Sequence, residues 1–267
     1  MHHNRIRVET VKGITTVTLT RAEKRNALDL AMFRAIDDIT KALRRDRRIR
    51  AVILRGDGDD FCSGLDIKSV LGHPLSGLKL LWKWLPGNAN LAQRACVNWR
   101  RLPVPVIAAI HGRCWGGGLQ IALGADYRIA TPAASLSIME AKWGIIPDMG
   151  GTLALRELLP VDTALRLAST AEIFSGEQAK AMGLVSAVAD DPYAAALTLA
   201  QSFCERSPDS VAACKQLYHR AWSPPQRAIL ARETWLQWRL LLGRNQKIAI
   251  QRVADSTAKQ FQNRQRW

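Results

Sequence analysis

The chain is poor in the residues that hold small extracellular folds and metal sites together. Five cysteines, Cys62, Cys96, Cys114, Cys204 and Cys214, are scattered through 267 residues as an odd set without a CxxC pair. That usage speaks against a disulfide framework or a zinc site and for a reducing compartment. No stretch approaches the roughly 18 uninterrupted apolar residues of a membrane span, and Met1 to Val11 carry no apolar run suited to a signal peptide. A protein that is soluble, unexported and cytoplasmic is the expectation, without membrane attachment. Acidic residues are also scarce: 23 against 38 Lys and Arg, a net charge of +15. The excess favours an anionic partner, whether a phosphorylated cofactor, a nucleic acid or a membrane surface. Nucleic-acid motifs are missing, however, with no basic run interleaved with aromatics like an RRM signature. Neither a Gly-Lys-Ser/Thr P-loop nor a GxGxxG dinucleotide turn occurs.

Apolar residues make up 48% of the chain, enough for a sizeable core. Ile6 to Thr10 and Thr15 to Thr20 are β-branched runs that meet at Gly13, as in a hairpin. Leu30, Phe33, Ile36, Ile39 and Leu43 recur at helical spacing over Asp29 to Leu43, with Asn26 or Asp29 as cap. Ala51 to Leu54 and Val104 to Ile110 read as buried strands, with Tyr127 to Ala130 and Ser135 to Ile138 as further ones. This rhythm predicts an α/β core of β/α units. From Val161 onward the pattern is helical, broken at Ser207-Pro208 and at Ser223-Pro224-Pro225, with helices predicted over 161–169, 176–182, 193–205, 209–221, 226–242 and 246–264. The expected division is a core over 1–200 and a helical region over 201–267. Between two units, 71–102 is poorly periodic and holds Trp82, Trp84 and Trp99, either packed in the core or lining an apolar pocket.

Two predicted strands run into glycine-bearing turns, Phe61-Cys62-Ser63-Gly64-Leu65-Asp66-Ile67 and Gly112-Arg113-Cys114-Trp115-Gly116-Gly117-Gly118-Leu119. Glycine admits a ligand close to the backbone, and amides at the start of a following helix point outward unpaired. Two such donors converging on one point suit the oxyanion of a thioester enolate. Each glycine set is equally compatible with plain turns. Gly112 to Gly116 also reads G-x-C-x-G, a nucleophile elbow with Cys114 as nucleophile and His219 as the sole downstream histidine.

Taken in order, these segments resemble the crotonase superfamily of enoyl-CoA hydratases and isomerases. The likeness includes Pro105 to Gly112, the triple glycine, the Gly-Ala-Asp-Tyr-Arg-Ile-Ala run at 124–130, 144–151, and Ala179 to Val185. It implies a spiral of ββα units with a helical C-terminal trimerisation region, and a homotrimer or dimer of trimers. It also implies an acyl-CoA substrate, no cofactor beyond the CoA moiety, no metal, and an oxyanion hole from the Leu65 and Gly117 amides. Lys24, Arg25 and Lys68 then lie where the family binds the CoA phosphates and ribose, and Phe261 with Arg264 where it reaches the adenosine of a neighbouring subunit's CoA.

Family hydratases use two glutamates around one water. Here the first position is Gln120, which cannot act as a general base, and the second is Glu140. A single glutamate shuttling a proton from C2 to C4 is the pattern of the family's isomerases. Asp148, eight residues on, matches the second acid of dienoyl-CoA isomerases; it is also a fitting N-cap for a helix opening at Gly150, or, as in dehalogenase-like relatives, a nucleophile. Isomerisation of a 3-enoyl or 3,5-dienoyl thioester is the first expectation. Hydration with Glu140 as sole base comes second, and a non-catalytic acyl-CoA- or RNA-binding homologue third.

Overall fold

The computed structural model describes residues 4–71, 79–85, 87–221, 224–255 and 259–267. Strands β1 (Ile6–Val11) and β2 (Ile14–Leu19) form the expected hairpin; Lys12 and Gly13 both take positive φ at its tip, the backbone a tight two-residue turn needs. Then β2 pairs in parallel with β3 (Ala51–Gly56), β3 with β4 (Val106–Ile110), β4 with β6 (Tyr127–Ala130) and β6 with β9 (Ala187–Val188). A small second sheet holds β5 (Arg113–Trp115), β7 (Ser135–Ser137) and β8 (Phe174–Ser175). Its first strand leads into the glycine turn, which is how the fold carries the turn to the site.

Helix α1 (Leu30–Arg45) starts where Asp29 accepts the Met32 amide at 2.7 Å, and its face of Phe33, Ile36, Ile39 and Leu43 is buried. A short α2 spans Ile67–Leu71. Helix α3 (Leu91–Arg100) opens with an Asn90–Gln93 capping box and α4 (Gly117–Leu123) is buried throughout. Trp99 packs in the core, whereas Trp82 and Trp84 stand exposed in an edge-to-face pair with centroids 6.1 Å apart. Helices α5 (Thr152–Leu158), α6 (Val161–Thr170) and α7 (Gly176–Ala181) follow. Helix α8 (Pro192–Cys204), crossing the expected boundary at 200, covers the sheet's second face with Ala196 and Ala200 against Ile53, Ile107 and Ile129.

Helices α9 (Pro208–Ala221), α10 (Gln226–Leu241) and α11 (Arg244–Ala254) make the helical end. A partly buried cluster fastens α9 to the core: Asp126 accepts from Lys215 at 2.7 Å and from His219 at 2.5 Å. Lys215 reaches the Val104 carbonyl at 2.8 Å as well. The helix predicted over 246–264 ends instead at Ala254. Beyond it, 259–267 forms neither helix nor strand, because side chains far away in sequence satisfy its backbone. Asp209 accepts from the Gln265 amide at 2.6 Å, and Asn245 accepts from the Gln262 amide at 2.8 Å. These tertiary bonds outweigh a modest local helix propensity. Among the described residues no helix is long and apolar enough to cross a membrane.

Candidate active site

The two glycine turns meet. Cys62 and Cys114 form a parallel bridge, the Cys62 amide donating to the Arg113 carbonyl and the Trp115 amide to the Cys62 carbonyl, both at 3.0 Å. On its other side the same segment is bound to Leu28, whose amide donates to Gly64 at 2.8 Å. Gly64 has φ +94°, and a Cβ there would lie 2.8 Å from the Trp115 carbonyl oxygen and 3.5 Å from the Gly117 nitrogen. Only glycine lets the chain pass so close, and the passage brings the Gly64 turn against the start of α4 at Gly117. Gly116, with φ 49° and ψ −119°, turns the backbone so that Gly117 becomes the first residue of α4. Among the described residues neither the Leu65 nor the Gly117 amide makes a backbone hydrogen bond to a turn or loop carbonyl, and Gly117 opens α4.

Glu140 opens a single 3-10 turn (Glu140–Trp143) just after β7. Its carboxylate lies against the glycine turn: a Cβ on Gly116 would be 3.6 Å from Glu140 Oε1. Gln120, three residues along α4 from Gly117, donates from Nε2 to Glu140 Oε1 at 2.5 Å. The Gln120 Oε1 accepts from the Met149 amide at 2.9 Å and the Gly151 amide at 3.3 Å. Because backbone donors can face only the oxygen, the chemistry dictates which end of the amide points at Glu140. Glu140 Oε2 is buried and meets no hydrogen-bond donor among the described residues. Burial pushes the Glu140 carboxyl above the ordinary carboxylate range, the charge of Asp148 adds to that, and the Gln120 amide opposes it.

Asp148 is half-buried near Glu140, its carboxyl raised by burial. It caps no helix: α5 starts at Thr152 with Gly151 at the N-cap and no side-chain cap bond, so the capping alternative falls away. Met149, next to Asp148, packs its side chain at the Gly117 turn.

Lys24 and Arg25 are exposed on a loop tied into the site, where the Arg25 carbonyl accepts the Ser63 amide at 2.9 Å. That loop depends on Asn26, buried at positive φ, whose side chain donates to the Asp57 and Asp60 carbonyls at 2.9 and 2.8 Å. Asn26, a cap candidate by sequence, caps no helix, Asp29 taking that place; an Asn between a charged turn and an apolar run is also a left-handed-turn signal, and that is its role here. Lys68 sits in α2, its side chain lying outside what is described. The structure does not bring the remaining two to Glu140 within this chain. The Phe261 ring is approached by the guanidinium groups of Arg50 and Arg252, 5.7 and 5.3 Å from its centroid. Arg264 is buried and donates to the Asp46 carbonyl at 3.2 Å.

The nucleophile-elbow reading of Cys114 does not survive. Cys114 is wholly buried, its thiol pushed far above the ordinary range, and His219 is engaged by Asp126 at 2.5 Å.

The sequence pattern of the enoyl-CoA hydratase/isomerase family matches residues 9–263. The chain belongs to that family. Among its relatives, the mitochondrial methylglutaconyl-CoA hydratase of Mus musculus is 33% identical over 212 residues, 76% of this chain and 65% of that protein. The chain therefore spans less than two thirds of that relative's length. Enoyl-CoA hydratase EchA19 of Mycobacterium tuberculosis is 31% identical over 250 residues, 93% of this chain and 92% of that protein. The crystal structure of an enoyl-CoA hydratase from Bacillus anthracis superposes with a TM-score of 0.87 at 26% identity, covering 96% of this chain and 98% of that one. The crotonase-type α/β fold expected from the motifs is thus the fold of this family member.

Proposed function

We infer that this family member is an enoyl-CoA isomerase in which one glutamate carries the proton. The observation behind this reading is the state of Gln120. Both lone-pair directions of its amide oxygen are taken by the Met149 and Gly151 amides, and its nitrogen donates to Glu140. A water nucleophile must hand its proton to an acceptor, and Gln120 has no acceptor left to offer.

In this mechanism the thioester carbonyl oxygen sits between the Leu65 and Gly117 amides. Glu140 removes a C2 proton from a 3-enoyl thioester, the electron pair moves to the carbonyl oxygen as an enolate, and Glu140 returns the proton at C4. The double bond is then at C2–C3 and the carboxylate is restored. Burial supports the role by raising the proton affinity of Glu140, the direction a carboxylate base needs. Asp148, half-buried, is assigned a share of the transfer in a 3,5-dienoyl substrate. No cofactor beyond the CoA moiety is needed.

Lys24 and Arg25, with Lys68, are assigned to the CoA phosphates and ribose, and Phe261 and Arg264 to the CoA of a neighbouring subunit. A homotrimer or dimer of trimers is part of this reading. It is supported by Leu230, Trp238, Leu241 and Leu242, which leave α10 with exposed apolar surface. A cytoplasmic location completes it. The second reading, hydration with Glu140 as sole base, is favoured by relatives that are named hydratases. Purified protein supplied in parallel with 2-enoyl-, 3-enoyl- and 3,5-dienoyl-CoA separates the two. Rapid hydration without isomerisation would reject the isomerase reading. Salt-sensitive RNA retention with no turnover of any thioester would reject both.

A further inference from the structure

The loop that displays Lys24 and Arg25 is joined to the turn that carries Leu65, and the joint is a buried side chain. Asn26 is 0% exposed, with its backbone in the left-handed region at φ 55°. Its Oδ1 accepts the Arg21 amide at 2.9 Å, which closes the loop, and its Nδ2 donates to the Asp57 and Asp60 carbonyls at 2.9 and 2.8 Å. The segment it grips runs on into the first glycine turn. There the Ser63 amide donates to the Arg25 carbonyl at 2.9 Å, and the Cys62 thiol to the Asn26 carbonyl at 3.1 Å. Both peptide groups that flank Leu65 are tied to Leu28: its amide donates to the Gly64 carbonyl at 2.8 Å, and its carbonyl accepts the Asp66 amide at 3.0 Å. In a planar trans peptide the carbonyl and the N–H point in opposite directions, so the bond to Gly64 aims the Leu65 N–H away from Leu28. Arg21 adds a brace, donating to Asp66 Oδ2 at 2.8 Å.

We propose that Asn26 is a positioning residue that couples capture of the CoA phosphates by the Lys24–Arg25 loop to the aim of the Leu65 N–H, so that binding energy from the far end of the substrate appears in kcat. The proposal rests on the reading that assigns Lys24 and Arg25 to the phosphates and Leu65 to the oxyanion. An oxyanion donor acts at short range, and a misplacement of about 1 Å costs about 100-fold in rate. Anchoring a charged handle remote from the reacting carbon is a way to hold such geometry. The residue type fits the task. Glycine tolerates the left-handed backbone but bridges nothing, and aspartate tolerates it but has no donor for two carbonyls, whereas asparagine supplies one acceptor and two donors, all of them used.

The test compares two thioesters of the same enoyl group, the CoA ester and the pantetheine ester that lacks every phosphate, on full-length wild type, Asn26→Gly and Asn26→Asp. Both substitutions keep a residue that tolerates positive φ and remove the two donations to Asp57 and Asp60. In the wild type kcat for the CoA ester should exceed that for the pantetheine ester by roughly 30-fold or more. Both variants should bring that ratio below about threefold by slowing the CoA ester, while calorimetry finds the affinity for CoA itself within about threefold of the wild type. The ratio within one protein is independent of how much of it is folded. A wild-type ratio near one would overturn the proposal, as would a wild type that turns over neither ester. So would equal slowing of both esters in the variants, because Asn26 would then only hold the fold, or weaker CoA binding at an unchanged kcat, because it would then only hold the loop. A Lys24→Ala/Arg25→Ala variant separates the coupling from the reading beneath it. Wild-type CoA affinity in that variant overturns the phosphate assignment and the coupling with it. A loss of about tenfold or more upholds the assignment even where the kcat ratio sinks the coupling.

Discussion

Replacing Gln120 with Glu tests the reasoning about this site most directly. The amide nitrogen is 2.5 Å from Glu140 Oε1, in a position that is only 2% exposed. In Gln120→Glu one carboxylate oxygen keeps the Met149 and Gly151 amides, and the other takes the place of Nε2. Two carboxylates then face each other where a donor and an acceptor stood. At an effective dielectric of about 20, two unit charges about 4 Å apart repel by roughly 4 kcal/mol. At about 1.4 kcal/mol per pKa unit, that moves the second ionisation of the pair up by about three units. At neutral pH the pair should therefore share one proton, which is the two-acid arrangement for activating water. The acid limb of the kcat/KM–pH profile should move upward by about two to three units. Hydration of a 2-enoyl thioester, followed by loss of its conjugated ultraviolet absorbance, should rise at least tenfold relative to isomerisation. A limb displaced by less than about half a unit, with an unchanged ratio in a variant of normal thermal midpoint, would refute the claim that the Gln120 amide sets the chemistry.

Glu140→Gln should abolish turnover while retaining CoA binding, as read by calorimetry and a coupled rate assay. It should also alter stability in a definite direction. Burial raises the folded pKa of Glu140 above its unfolded value, so stability present below the unfolded pKa is lost as pH rises through the folded one. At neutral pH the variant should thus melt above the wild type, and the difference should vanish in acid. Gly117→Pro removes one oxyanion donor at a helix position that tolerates proline, and should slow the reaction by about 100- to 1000-fold. A Cβ at Gly117 would press on the side-chain ends of Leu28 and Met149, each 2.9 Å away, so circular dichroism and CoA binding are measured on the variant to confirm a native fold. Asp126→Ala strips the partner from Lys215, which is buried, and should cost roughly 3–5 kcal/mol in denaturant unfolding.

Much of the fold was legible because its signals are local. Gly13 at a tight turn, the helical spacing from Leu30 to Leu43, and the alternation of buried strands with helices each depend on neighbours a few residues apart. The two glycine turns and Glu140 were legible for the same reason, as small residues in a fixed order carrying the family likeness. The helix predicted over 246–264 failed where that logic fails. Residues 259–267 are held out of a helix by Asp209 and Asn245, respectively 56 and 17 residues from the amides they accept.

The three tryptophans of 71–102 show the same limit. Periodicity could not separate Trp99, buried on α3, from Trp82 and Trp84 in water, since the difference lies in what packs against them. The sequence by itself determined that two strands would run into glycine-bearing turns and that a Gln stands at 120 where family hydratases carry a Glu. Only the tertiary structure decided that both oxygen lone pairs of that Gln are spent, on amides 29 and 31 residues away, and that its nitrogen faces Glu140. A side chain's identity is a local fact, but the direction in which its dipole points is set by partners that only folding brings near.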